Sequence, residues 1–308
     1  MFCTCRSRTL FAHITTTRRS AVSTTLTLST FDAPARPLNI PLPIDPPEGG
    51  WTWPPTSVTL IAGENDAVLI DTLPTVEDSA DLADWIEASG KRLTHIFITH
   101  GHIGHYLGTA PLKARFPGVT VVSTAATAGF IAEEQRTKRD TTAYSAIFAD
   151  DVVEEVVLPE ALPADGRFDL EGHEIIGIPA GQSDLSESSY AWVPALSAVV
   201  VGDIAYNDVH AALIETTTPE SRKSWIATLK EVQSRNPQVV VASHRKADAV
   251  NDASPLAKTI EYVELGDKLL SADPRPSLAE FVARMVEANP TYANVTTPIY
   301  GGAVQGLR

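Results

Sequence analysis

Cysteine is all but missing from this 308-residue chain, and the only two, Cys3 and Cys5, stand at its extreme N-terminus. Everything after them lacks thiolate ligands and disulfides, so a metal bound there must be held by His, carboxylate or amide groups. Basic residues are scarce too, 24 against 38 acidic ones, for a formal charge of −14. So acidic a surface repels phosphate backbones and excludes nucleic acid as the expected partner. No stretch approaches the roughly 18 unbroken apolar residues of a spanning helix, and no membrane insertion is expected. Gly-x-Ser-x-Gly is absent, which leaves a serine hydrolase without its nucleophile elbow. The candidate glycine-rich loop, Tyr300-Gly301-Gly302, has no helix expected after it and reads as no phosphate cradle.

Apolar material is plentiful. Hydrophobic residues make up 44% of the chain, with 5 Trp, 9 Phe and 7 Tyr, which supports a packed core and argues against a disordered or fibrous chain. The length allows one large domain or two small ones.

Residues 1–31 read as a leader. Arg6, Arg8, Arg18 and Arg19 stand among many Ser and Thr with no acidic residue before Asp32, while the remainder carries −18. That pattern fits a mitochondrial transit peptide or an unstructured tail, giving a mitochondrial or cytoplasmic location. Residues 32–56 are a proline-rich, extended lead-in that cannot be helical. A single domain is expected over 57–308.

Within it, Ser57–Ala62 and Ala67–Asp71 read as a hairpin around Gly63–Asp66. Thr75, with Asp78 three residues on, opens a helix carrying Leu82, Trp85 and Ile86, which Gly90 closes. Thr94–Thr99 is a buried strand, Gly108 to Phe116 a helix and Val119–Ser123 a strand; residues 125–160 hold helical stretches without a clear stripe. Four strands follow, at Arg167–Leu170, His173–Ile178, Ser188–Val193 and Ala198–Val201. Thr218-Pro219 starts a helix with Trp225, Leu229 and Val232 on one stripe. Val239–Ala242 is the last strand. Helices begin again at Ser254-Pro255 and at the capping box of Ser277 and Glu280. Strands and helices run through both halves with no linker between them, which predicts one α/β domain.

The chemistry concentrates in Thr99-His100-Gly101-His102-Ile103-Gly104-His105, between a buried strand and a helix. Three of the chain's 8 histidines fall within six residues, and imidazole is the commonest protein ligand for zinc and similar metals. This segment resembles the His-x-His-x-Asp-His signature of the metallo-β-lactamase-fold superfamily. VLIDT (Val68–Thr72) resembles the strand that precedes the signature. Gly181-Gln182-Ser183-Asp184 stands where the family has Gly-His-Thr/Ser-x, VVVGDIAY carries Asp203, and VVVASHRK carries His244. The steps are 77 residues from His105 to Gln182, 21 on to Asp203 and 41 on to His244.

The resemblance implies a four-layer αββα sandwich, of the lactonase-like branch, with a metal site at the sheet edge. It also implies a hydroxide, held by metal, that attacks a lactone, lactam, ester or related carbonyl. By position, His100, His102 and Gln182 fall on one metal, His105 and His244 on a second, and Asp203 bridges them. Asp71 would support the motif loop, and Tyr206 would polarise the substrate carbonyl. His210, just past Asp203, is a further candidate acid or base. Two positions depart from the pattern: Gly104 replaces the motif Asp, and Gln182 replaces a His with a weaker amide donor. The expected site is therefore atypical and holds a single metal, zinc, with iron or manganese as alternatives. Two other readings stay open. One is an iron oxygenase or lyase on the two-His, one-carboxylate remnant, and the other is a non-catalytic small-molecule binder.

Overall fold

The structure is a computed structural model that describes residues 25–308 apart from 39, 47, 49, 138–146, 149 and 150. The arginine-rich leader segment with Cys3 and Cys5 lies outside the described residues. One sheet hydrogen-bonds β1 (Thr27–Asp32), β2 (Ser57–Ala62), β3 (Asp66–Ile70), β4 (Arg92–Phe97), β5 (Thr120–Ser123) and β6 (Glu160–Ala161) in that order. The other runs from β7 (Arg167–Leu170) through β8 (His173–Gly181), β9 (Ser188–Val193) and β10 (Ala198–Gly202) to β11 (Val239–Ala242).

Alternation along the strands builds the layers, since successive side chains leave opposite faces. Val68 and Ile70 of β3, with Ile61 and Phe97, meet Ala191, Val193, Ala198 and Val200 between the sheets. Their neighbours point the other way. Leu60, Leu69 and Ile96 pack under α1 (Val76–Ala88), while α2 (Ile103–Tyr106), α3 (Thr109–Arg115) and α4 (Ala125–Thr137) lie on the same side. Val199, Val201 and Val240 pack under α5 (Pro219–Ser234), α6 (Ser254–Leu270) and α7 (Leu278–Ala288), through Trp225, Leu229, Val263, Phe281 and Met285. The expected helix–sheet–sheet–helix sandwich is the architecture found. Among the described residues no helix is long and apolar enough to cross a membrane.

Two features of the sequence reading change. The first sheet begins at Thr27, thirty residues before the boundary set at Ser57, because β1 pairs with β2 from Thr27↔Ala62 to Asp32↔Ser57. Leu26 is buried between the sheets and Phe31 packs on Trp85 at a ring separation of 5.6 Å, so apolar contact holds this edge strand. Tyr300-Gly301-Gly302 is not a loop but the interior of α8 (Thr296–Val304). A Cβ on Gly302 would lie 2.6 Å from Leu278 and 3.0 Å from Phe281, so the glycine lets α8 close on α7.

Parallel pairing of β3 with β4 and of β10 with β11 brings the C-terminal ends of these strands to the same edge of the sandwich. The chain leaves those ends through Asp71, His100, Asp203 and His244. That edge is where the histidine motif and the distant carboxylates meet.

Candidate metal centre

The motif loop is braced from beneath by Asp71, which is fully buried at a left-handed φ of 65°. Its Oδ1 accepts from the Thr99 amide at 2.8 Å, and its Oδ2 accepts from Thr99 Oγ1 at 2.8 Å and Ser243 Oγ at 3.0 Å. His105 Nδ1 lies 3.3 Å from the same Oδ2. A buried carboxylate needs such donors, and here they tie the ends of β3, β4 and β11 together. Gly202 makes this possible. It sits at φ 56°, and a Cβ there would come within 2.4 Å of Thr99 Oγ1. Asp203 follows it, on a turn held by Trp225 Nε1 donating to the Ile204 carbonyl at 2.8 Å.

The hydrogen bonds fix the imidazole tautomers. His244 Nδ1 faces the Pro55 carbonyl at 2.8 Å, and a carbonyl only accepts, so that nitrogen carries the proton. Thr99 Oγ1 donates its single proton to Asp71, so His100 Nδ1, 2.9 Å away, donates to Thr99. Asp71 likewise takes the Nδ1 proton of His105. Three Nε2 atoms are thereby left to face Asp203 Oδ2, at 3.5 Å for His100, 3.5 Å for His105 and 3.2 Å for His244. Lone pairs turned on a carboxylate repel unless a cation, either a proton or a metal ion, lies among them. Asp203 Oδ1 is buried with no hydrogen-bond partner. Outer partners that orient imidazoles in this way are the usual surround of a metal site, and the residues fit a divalent cation.

The electrostatics follow. Burial alone would raise Asp203, but His244, His105 and His100 outweigh it and hold its carboxyl well below the usual range. Burial would lower His105, yet Asp203 and Asp71 push it up to about 10, so without a metal a proton on its Nε2 takes the cation's place. His102 is likewise raised against its burial, chiefly by Asp184. His100 goes down, because burial and the neighbouring His105 prevail over Asp203.

Beside Asp71 with His100 and His105, where the carboxylate is already held by Thr99 and Ser243, two donor groups result. His100, His102, Asp184 and Asp203 form one, and His105, Asp203 and His244 the other, each with ligand atoms within 4.8 Å of one another. Together they border a cavity of about 290 Å³ with apolar walls from Leu38, Ile40, Trp53, Ala212 and Ile214. The proline-rich lead-in thus forms part of the site.

A family model described as the metallo-beta-lactamase superfamily matches residues 51–244. The chain belongs to the metallo-β-lactamase superfamily. Solved metallo-β-lactamases share its fold. The enzyme from Pontibacter korlensis superposes with a TM-score of 0.56 at 20% identity, over 80% of this chain and 97% of its own. The DIM-1 metallo-β-lactamase gives 0.56 at 17%, over 80% and 96%. FIM-1 from Pseudomonas aeruginosa, in its mono-zinc form, gives 0.54 at 12%, over 79% and 93%. No curated protein matches the chain.

As a metallo-β-lactamase-fold protein it places most of its expected site residues together: His100, His102, His105, Asp203 and His244 converge, and Asp71 braces the loop. Gln182 is a correction. Its Nε2 donates to the Ser183 carbonyl at 2.9 Å, it is not among the cavity's lining residues, and Asp184 takes its place. Asp184 Oδ2 lies 3.2 Å from His102 Nδ1. Asp184 stood within the quoted Gly-Gln-Ser-Asp segment, and an acidic residue two places past a lost histidine was the signal for it. His210 is the second correction. It is buried away from the cavity, with Nδ1 3.2 Å from Tyr262 Oη, and burial pushes its pKa down to about 4. Tyr206 does line the cavity. Its hydroxyl lies 3.1 Å from Asp184 Oδ2 and 3.3 Å from Asp203 Oδ2, and burial with both carboxylates raises it well above the ordinary tyrosine value. Gly104 also lines the cavity, and a Cβ there would meet only Trp53 Cζ2, at 3.8 Å.

Proposed function

We propose that this protein is a metal-dependent hydrolase of a small lactone, lactam, ester or related carbonyl compound. The convergence of three Nε2 atoms on Asp203, beside an apolar cavity, is the observation that carries the reading. His100, His102, Asp184 and Asp203 would hold one zinc firmly, since four donors grip more tightly than three. His105, His244 and Asp203 form the weaker group, where Gly104 supplies no side chain. A bound divalent cation contributes Lewis acidity and lowers the pKa of water at the site.

The protein's own groups do the rest. The walls of Leu38, Trp53 and Ile214 take up the apolar body of the substrate and exclude bulk water. Tyr206 stays protonated at neutral pH and can turn its hydroxyl from Asp184 toward a carbonyl oxygen at the cavity floor. Asp71, Thr99 and the Pro55 carbonyl keep the imidazoles aimed while the substrate exchanges.

The test is elemental analysis of protein purified without chelator, joined to hydrolysis of generic aryl esters and lactones. About one equivalent of zinc, with turnover abolished by chelator and restored by zinc, supports the reading. Iron in place of zinc would instead favour an oxygenase or lyase built on His105, His244 and Asp203, a two-His, one-carboxylate set. Protein without metal and without turnover would sink both.

A further inference from the structure

The cavity holds one carboxylate that neither donor group uses. Glu215 lies on its wall with its side chain 37% exposed, and its Oε1 is 3.6 Å from His102 Nε2. A carboxylate offers about four lone-pair positions, and His102 engages at most one. The backbone fixes where Glu215 stands. On one side Leu213 is buried and its carbonyl accepts from Gln305 Nε2 at 2.8 Å. On the other the Thr216 carbonyl accepts from Arg222 Nη1 at 2.8 Å and from Gln305 Nε2 at 3.2 Å. Arg222 is itself paired with Asp267 at 2.8 Å, so it does not serve Glu215 as a counter-ion.

The rest of the wall is equally one-sided. Among the described residues that line the cavity there is no Lys and no Arg. Asn294 Oδ1, also on this wall, is buried without a hydrogen-bond partner, while its Nδ2 donates to Thr297 Oγ1 at 2.5 Å. With Asp184 and Asp203 committed to the metal, the charged side chain left facing a substrate among the described lining residues is Glu215. Apolar walls keep the local dielectric low, which strengthens attraction for a cation and repulsion of an anion.

We infer that Glu215 selects the substrate's charge: the cavity takes carbonyl compounds bearing an ammonium or other cationic group in preference to neutral ones. This rests on the hydrolase reading for the chemistry, but the charge preference is a property of the cavity itself.

The experiment has a binding arm and a turnover arm, both on the full chain loaded with zinc. Calorimetry compares 2-phenylethylammonium and 2-phenylethanol as probes. We expect the ammonium to bind about tenfold tighter than the alcohol. Glu215→Gln should remove the gap between ammonium and alcohol, and Glu215→Asp should keep part of it. In the turnover arm, matched aryl esters ending in a trimethylammonium or a tert-butyl group give a cation-to-neutral ratio of kcat/KM that falls about tenfold in Glu215→Gln. An ammonium preference that depends on Glu215, with no ester hydrolysed, would leave this inference standing and remove the hydrolase reading. Hydrolysis with no cation preference, a preference that survives Glu215→Gln, or no binding of the ammonium would overturn the inference.

Discussion

Two groups of buried histidine lie behind and before the same stretch of chain, and they have opposite fates. His100, His105 and His244 crowd around Asp203, their Nδ1 protons taken by Thr99, Asp71 and the Pro55 carbonyl. His210, seven residues after Asp203, is as deeply buried, at 1% exposed, yet it sits among the rings of Tyr262 and Tyr292. Burial is common to both and decides nothing. What separates them is the facing partner: a carboxylate makes the imidazoles a cation site, and two neutral phenols make His210 a core residue.

The comparison breaks most completely at Asp203, which belongs to both donor groups. Asp203→Ala should abolish stoichiometric metal and all turnover, read by elemental analysis and ester hydrolysis. Next in size is the difference between the groups. His102→Ala or Asp184→Ala should weaken the first equivalent of zinc by at least about a hundredfold, whereas His244→Ala should leave most of it bound and impair turnover. Equal metal loss in all three would mean one shared site. Gly104→Asp supplies a fourth donor for the weaker group, and a second equivalent of zinc should then bind measurably tighter in a competition titration.

The smallest effect belongs to His210. Its folded pKa of about 4 lies below the unfolded value near 6.5, so the unfolded chain takes up the proton first as the pH falls. Its contribution to stability is whole above pH 6.5, declines from there to pH 4, and reaches a loss of about 3 kcal/mol below that. His210→Phe should flatten this slope in denaturant titrations and leave bound zinc unchanged. A loss of zinc in that variant would put His210 back in the site.

The histidine comparison also explains what could be read in the sequence. The motif was legible because six residues at a strand end carry three ligands, and local spacing alone places them. Asp203 and His244 could be read because each follows a short β-branched run whose C-terminal end the sheet edge brings to the site. His210 was misplaced because nearness to Asp203 along the chain is not nearness across it: the turn after Asp203 carries the backbone under α6, where Thr259 Oγ1 accepts from the Tyr206 amide at 3.0 Å. Asp184 replaces Gln182 through the course of a loop, which no periodicity encodes. Leu26, Leu28 and Phe31 did carry a strand-like pattern, but the basic leader before them masked it. The apolar wall from Leu38 to Trp53 has no regular period, so only the folded chain reveals it.

The family match starts at Trp51 and stops at His244, and it encloses every donor of both groups. The folded molecule does not divide there. Such a fragment would keep the Pro55 carbonyl on His244, but it would lose both Asp32 and Arg245, whose Nη1 donates to Asp32 Oδ1 at 2.7 Å beside the last ligand. It would also shed the whole of α6, α7 and α8, leaving Val201 and Val240 covered by α5 alone, and with them Tyr300 from the cavity rim. The matched segment thus carries the donors, and the flanking segments add Leu38, Ile40, Asn294, Thr296, Thr297 and Tyr300 to the lining of the chamber around them. Dissection at the family limits would keep a complete list of ligands and only part of the chamber that surrounds them.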